Sequence, residues 1–265
     1  MSTYVTVGSV CWDVVEGDEQ PRLGGSAVFA SRVALGLGWD AVVITTGTPE
    51  LAAAVRRELP AVEIVLQPSA RDTAFGFDKR SDLGPDRLLA QADPVDLATT
   101  DAAGVLERAD VVHLAPVMGE LRADSFTLAR QAPFVGISPQ GLLRTAAPDG
   151  TLQPGGRFDT PWTDQVDAIA LSEPELKRVG DRETLRIAKT AVTRGAQGAI
   201  GYWGDEEIPV DGIDVGPVGP LATIGAGDVF AAVFFAALAT GSTFADALHQ
   251  ANEIAAAHVA GLSGV

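Results

Sequence analysis

The sequence contains one cysteine, Cys11, among 265 residues, which excludes an internal disulfide framework and any multi-cysteine metal site. A lone cysteine of this kind reads as a small packing residue near the end of a buried strand. Positive charge is scarce as well. Lysine and arginine total 19 against 35 aspartates and glutamates, for a formal charge of −16. Such a surface repels phosphate backbones and anionic lipid, so neither nucleic acid nor a membrane surface is expected as a partner. No apolar run is long: Val229 to Ala239 falls well short of the ~20 residues that span a bilayer. The opening MSTYVTVGSV lacks the basic region of a signal peptide, and the expected location is cytoplasmic. What is present is ordinary for a globular chain, 46% apolar and 20% charged, and the length suits one large α/β domain.

Short apolar runs alternate with longer helix-like stretches. Strands are expected at Tyr4–Val10, Ala41–Thr45, Val62–Leu66, Val111–Ala115, Phe134–Ser138, Ala168–Ser172, Thr190–Thr193 and Ala199–Trp203. Several are continuous Val/Ile/Leu/Ala runs, the pattern of strands covered on both faces. Helices are expected at Ala27–Leu37, Pro49–Leu59, Arg122–Gln131, Glu173–Val179, Glu183–Ala188, Ala226–Ala239 and Phe244–Gly261. The alternation implies right-handed crossovers, hence a three-layer α/β/α domain with a mostly parallel sheet. Two segments break the pattern, residues 12–23 and 72–97. Alternating Phe75 and Phe77 suit a strand with one face covered, and the two segments read as a small β-flap over the sheet edge or as a plain outer hairpin. No linker divides the chain, so residues 1–265 are read as one domain.

The strongest local signal is Thr223-Ile224-Gly225-Ala226-Gly227-Asp228, followed by an apolar helix. A glycine turn opening a helix leaves N–H groups pointing outward with the positive end of the helix dipole behind them, a site for a phosphate or a developing negative charge. Asp228 then falls in the first turn, where an ionised carboxylate is stabilised. A carboxylate beside an anion site makes chemical sense with a neutral hydroxyl between them: the acid takes the proton while the amides steady a transferring phosphoryl group. A glycine turn that merely starts a helix is the plainer alternative.

These residues carry a resemblance. Gly225-Ala226-Gly227-Asp228 with Val229-Phe230 is similar to the C-terminal signature of the PfkB, or ribokinase-like, carbohydrate kinases. In order and spacing, Leu23-Gly24-Gly25-Ser26-Ala27 resembles the family's di-glycine motif, Ser172-Glu173-Pro174-Glu175 its Asn-x-x-Glu motif, and Thr193-Arg194-Gly195-Ala196-Gln197-Gly198 its strand-turn-strand beside the nucleotide. The resemblance implies a ribokinase-like fold with a β-flap lid and a kinase that moves the γ-phosphate of ATP to a sugar or polyol hydroxyl. By position it makes Asp228 the general base and the amides of Gly225, Ala226 and Gly227 the anion hole. Glu175 would organise Mg²⁺ through water; Ser172, Thr193, Gly195 and Gly198 would lie near the nucleotide, with Asn252 touching adenine. Asp13, Gly24 and Gly25 would face the sugar. A homodimer through the flap is known among relatives.

The departures are informative. Ala222-Thr223-Ile224 stands where the family has Asp-Thr-Thr, which bears on a monovalent-cation site; Ser172 replaces the motif asparagine; and Phe29 replaces an asparagine of the di-glycine segment, pointing away from ribose. Gly136-Ile137-Ser138-Pro139-Gln140-Gly141-Leu142-Leu143-Arg144, with Leu88-Leu89-Ala90-Gln91-Ala92, is similar to a branch that includes inositol-type kinases. Gln140 and Arg144 are accordingly expected to present amide and guanidinium donors to the acceptor's hydroxyls. The losses at Ala222, Ile224 and Ser172 also leave a second reading, a non-catalytic metabolite-binding regulator on the same fold. His113 reads as a core residue, and His249 and His258 carry no ligand pattern.

Overall fold

The computed structural model describes residues 2–78, 85–156, 164–179, 188–219 and 221–262. In order, the chain forms β1 (Thr3–Val7), β2 (Cys11–Val15), β3 (Arg22–Gly24), α1 (Ser26–Gly36), β4 (Asp40–Gly47), α2 (Pro49–Glu58) and β5 (Glu63–Pro68). Next come β6 (Thr73–Phe77), β7 (Arg87–Ala90), α3 (Thr100–Leu106), β8 (Val111–Leu114), α4 (Ser125–Ala129), β9 (Phe134–Ile137), β10 (Arg144–Ala146) and β11 (Leu152–Pro154). The last stretch holds β12 (Ala168–Ser172), α5 (Glu173–Leu176), β13 (Lys189–Thr193), β14 (Ala199–Trp203), β15 (Glu206–Val210), α6 (Ala226–Ala239) and α7 (Phe244–Val259).

A nine-stranded sheet in the order β15-β14-β13-β12-β9-β8-β1-β4-β5 forms the middle layer. It is parallel from β13 to β5; at the other edge β14 runs against β13, and β15 pairs antiparallel with β14 and so regains the common direction. The continuous apolar strands follow from burial on both faces. Tyr4, Val43 and Val111 join the core beneath α1, α2, α6 and α7, whereas their neighbours Val5, Val42 and Val112 join a second core beneath α3 and α4. Alternate side chains therefore feed two separate interiors.

Three expectations change. β15 was not anticipated because Glu206-Glu207-Ile208-Pro209 reads as loop; it is an edge strand, where proline costs no ladder bond. The short helix α3 was also unanticipated, and α4 is briefer than the apolar spacing suggested. The expected helix Glu183–Ala188 lies, but for its last residue, outside the described residues. Among the described residues no helix is long and apolar enough to cross a membrane.

The two segments that broke the alternation form a second sheet, β3-β2-β6-β7. Its inner face presents Cys11, Val15, Phe75 and Phe77 to Val117 and Met118, with Leu221 and Ile224 packed alongside. Asp72 joins this sheet to the body: its Oδ2 accepts from Trp12 Nε1 at 2.9 Å and its Oδ1 from the Thr48 amide at 2.7 Å.

α6 is apolar all round, and Val229 to Ala237 are buried without interruption. A helix of this kind belongs inside the protein, and α6 lies between the sheet, α1 and α7. Phe235 fills the space over β9, where a methyl group added at Gly136 would come within 2.5 Å of its ring. We expect Gly136→Ala to lower stability by about 1–3 kcal/mol through overpacking, measured by urea denaturation.

Candidate active site

The parallel strands end at a crevice, the usual ligand position of an open α/β sheet, and α6 points its N-terminus into it. Gly225 caps α6 with φ +80°, in the left-handed region, and a Cβ there would lie 2.4 Å from the Phe29 ring. No other residue fits both constraints. Beside Phe29, His258 of α7 places Nε2 2.9 Å from the Ile224 carbonyl. A carbonyl only accepts, so Nε2 carries the proton. The His258 ring also stands edge-on to Phe29 at 5.8 Å. The loop ahead of Asp228 is thus held by side chains from two helices, Phe29 of α1 and His258 of α7.

Two cavities meet at Asp228. The larger, about 260 Å³, is lined by Asp13, Gly25, Ser26, Gln140, Arg144 and Asp228, with Phe29, Phe75 and Phe77 as apolar walls. The smaller, about 100 Å³, is lined by Ser138, Gln140, Ser172, Glu175, Thr193 and Asp228. Gly227 borders both.

Several expected residues take their places at these walls, with corrections. The Ala226 amide donates to the Thr223 carbonyl at 3.1 Å, which removes it from the expected anion hole and leaves Gly225 and Gly227 at the cavity wall. Gly24 does not line the cavity. A Cβ there would fall 1.9 Å from Asp13 Oδ2, so its bareness makes room for that carboxyl, while Gly25 reaches the cavity itself. Gly195 and Gly198 shape the turn between β13 and β14 and line neither cavity. Asn252 also stands apart, its Nδ2 donating to the Asp211 carbonyl at 3.0 Å; the expected adenine contact has no support in this arrangement.

Electrostatics sharpen the picture. Burial, and then the charge on Asp228, push the Asp13 carboxyl up to about 7, while Arg144 and Arg22 hold it down. Burial also lifts Asp228 to about 6; a hydrogen bond from Ser26 lowers it, Glu175 raises it, and Arg144 and His258 lower it. The expected stabilised carboxylate is therefore a raised one, because desolvation outweighs the Ser26 hydrogen bond and the nearby positive charges. Arg144, itself lowered by burial, donates from Nε to the Val117 carbonyl at 2.6 Å and lies 4.7 Å over the Phe75 ring. These two contacts set the plane of its guanidinium. Glu175 Oε2 accepts from the Ser172 amide at 2.7 Å and from the Ser172 hydroxyl at 2.8 Å.

One supporting residue had no sequence signal. Glu120, 1% exposed, accepts from the amides of Ser9 (2.9 Å), Val117 (2.9 Å) and Met118 (2.7 Å). It joins the turn after β1 to the loop after β8, and so places the carbonyl that orients Arg144.

Comparison with known proteins agrees with this architecture. The model of the pfkB family carbohydrate kinase matches residues 168–263, the span from β12 through α7 that carries Glu175 and Asp228. A pyrophosphate-dependent kinase in the ribokinase family, solved with a pyrophosphate analogue and myo-inositol, is similar with a TM-score of 0.79. It is 21% identical, over 97% of this chain and 94% of that one. The fold is ribokinase-like. The PfkB resemblance read from the motifs is thereby supported by both sequence and structure. Arabidopsis thaliana ribokinase, solved with ribose and ATP, shares this fold at a TM-score of 0.71 and 17% identity, over 97% and 92% of the two chains. The nucleoside kinase of Methanocaldococcus jannaschii does so at 0.68 and 14%, over 97% and 91%. No curated protein sequence matches the chain.

Within this ribokinase-like frame, removing Glu120 leaves three buried N–H groups without an acceptor. Glu120→Ala should cost about 3 kcal/mol or more, read as a lower urea midpoint with unchanged slope.

Proposed function

We propose that this protein transfers the terminal phosphoryl group of a polyphosphate donor to one hydroxyl of a small, neutral polyol. The observation that carries the reading is the meeting of the two cavities at Asp228 and Gly227, beside the N-terminus of α6. An acceptor in the larger cavity would place a hydroxyl against Asp228. The hydroxyl oxygen bonds to the donor's terminal phosphorus, the bond to the leaving phosphate oxygen breaks, and the hydroxyl proton passes to the Asp228 carboxylate. Charge on the transferring group is met by the helix N-terminus. The second sheet, which lines the cavity with Phe75 and Phe77, would exclude water that could otherwise accept the phosphoryl group.

Size and charge favour a cyclitol or similar polyol. About 260 Å³ lies below the roughly 300–1,000 Å³ of pockets for drug-sized ligands. Asp13 and Asp228 offer acceptors to hydroxyls, Arg144 and Gln140 offer donors, and the three phenyl rings suit the C–H faces of a carbocycle. With acids outnumbering the single guanidinium, an uncharged acceptor is the better partner. The myo-inositol held by a structural neighbour fits the same description.

We take ATP as the donor. Pyrophosphate is the second reading, favoured by the small volume beside Asp228, about 100 Å³, and by the donor of that same neighbour. Mg²⁺ suits the donor side: Glu175 and Asp228 supply hard oxygens, and a hydrated magnesium needs few protein ligands. When bound, the ion would neutralise phosphate charge. A non-catalytic regulator on this fold would have no use for a base set between two cavities.

Release of ADP or orthophosphate that depends on an added polyol, with MgATP or magnesium pyrophosphate as donor, tests the reading; no acceptor-dependent release from either donor would defeat it. Asp228→Asn should lower kcat by roughly 10²–10⁴-fold, the worth of a positioned base, with donor binding largely kept. The pH profile should also carry an acid limb. The base works only when deprotonated, so activity falls as pH drops through about 6. Arg144 lowers that value, so Arg144→Met should move the limb to higher pH.

A further inference from the structure

Behind the smaller cavity runs a buried chain of polar groups across three adjacent strands. Tyr4 on β1 places its hydroxyl 3.1 Å from His113 Nδ1 on β8, and His113 Nε2 lies 2.9 Å from the hydroxyl of Ser138, just past β9. His113 has no exposed surface, and Phe235 (4.8 Å) and Tyr4 (6.1 Å) stand edge-on to its ring. Nothing in the proposed phosphoryl transfer yet uses these groups.

Burial makes the direction of this chain unambiguous. It pushes the Tyr4 phenol well above its usual range, so the phenol keeps its hydrogen. It pushes His113 down to about 3, so the ring is neutral with one N–H. The Tyr4 O–H must be given to an acceptor, and the partner it has is Nδ1. Nδ1 therefore offers its lone pair, and Nε2 carries the hydrogen and donates to Ser138 Oγ. The hydrogen of Ser138 is left to be given elsewhere, and Ser138 stands in the wall of the smaller cavity. The other hydroxyls of that wall are already committed: Ser172 donates to Glu175 at 2.8 Å, and Thr193 donates to the Leu171 carbonyl at 3.5 Å. Two acids, Glu175 and Asp228, share the wall, so an anion entering there needs donors.

We infer that Ser138 binds a phosphoryl oxygen of the donor through its O–H, and that Tyr4 and His113 are positioning residues that fix the direction of that hydrogen. The inference rests on the kinase reading and adds a donor-side residue to it. The shared chemistry is a terminal phosphate, whether from pyrophosphate or from a nucleoside triphosphate.

Titration calorimetry of the full chain with pyrophosphate and, separately, a non-hydrolysable ATP analogue, each with Mg²⁺, tests it and distinguishes the two donors. Steady-state kinetics on the polyol that turns over complete the test. Ser138→Ala should weaken the bound donor roughly tenfold to a hundredfold, the worth of one hydrogen bond to a charged group, and raise the donor's KM while leaving the acceptor's KM in place. Ser138→Thr, which keeps the hydroxyl, should recover most of the loss. Tyr4→Phe frees the His113 tautomer to take the Ser138 hydrogen, so it should weaken donor binding in the same direction. Equal donor binding by the wild-type protein and Ser138→Ala, or a loss confined to the acceptor's KM, overturns the inference and leaves the kinase reading standing. A Tyr4→Phe protein with a lower Tm but unchanged donor affinity overturns the positioning role. A wild-type protein that binds neither probe and turns over no polyol overturns both readings.

Discussion

The arrangement depends on one constraint: a carboxylate must face a cavity from the tip of a helix that is buried without a break from Val229 to Ala237. α6 can point Asp228 into the crevice only because its remaining faces are apolar and clamped between the sheet, α1 and α7. Burying a helix also buries its end, and that lifts Asp228 towards the pH at which a base is most effective. Packing and reactivity are therefore not separate properties. The same apolar environment that holds the helix sets the proton affinity of its first turn.

The site's supports have a common logic. Glu120 collects amides from two loops, His258 grips the Ile224 carbonyl, Ser172 is locked onto Glu175, and Tyr4 and His113 orient Ser138. Each fixes the direction of a donor or acceptor before any ligand arrives. Preorganised dipoles of this type lower barriers because nothing needs to reorient during the reaction.

These supports also mark where the sequence stopped being legible. The sheet could be read because double-sided burial writes continuous apolar strands, and the tip of α6 because a glycine turn running into an apolar helix is a local pattern. The strand Thr73–Phe77 could be read from the alternation of Phe75 and Phe77. By contrast, Glu120 contacts Ser9 at a separation of 111 residues and Tyr4 contacts His113 at 109. A lone acid in a loop and a lone histidine in a strand carry no spacing to announce such partners. The amide of Ala226 escapes the sequence pattern for a related reason: helix-start amides are free on average, but this turn closes onto Thr223. Asn252 fits its motif position yet faces the Asp211 carbonyl, because side-chain direction on α7 depends on where the loop after β15 runs. Pro209 concealed an edge strand that proline tolerates.

The placement of the two acids in the larger cavity has a mechanical consequence. Asp13 lies on β2, in the second sheet, while Asp228 belongs to the body. A polyol held by both would bridge the two parts, so binding energy from hydroxyls remote from the reacting oxygen can be spent on closing the site. Asp13 is raised mainly by burial and then by the charge of Asp228, so an empty closed cavity would keep two carboxyls close together without enough donors. Neutral hydroxyls between them supply those donors. On the proposed kinase reading, closure would be favoured most when the acceptor is present, which is when water must be kept from the phosphoryl group.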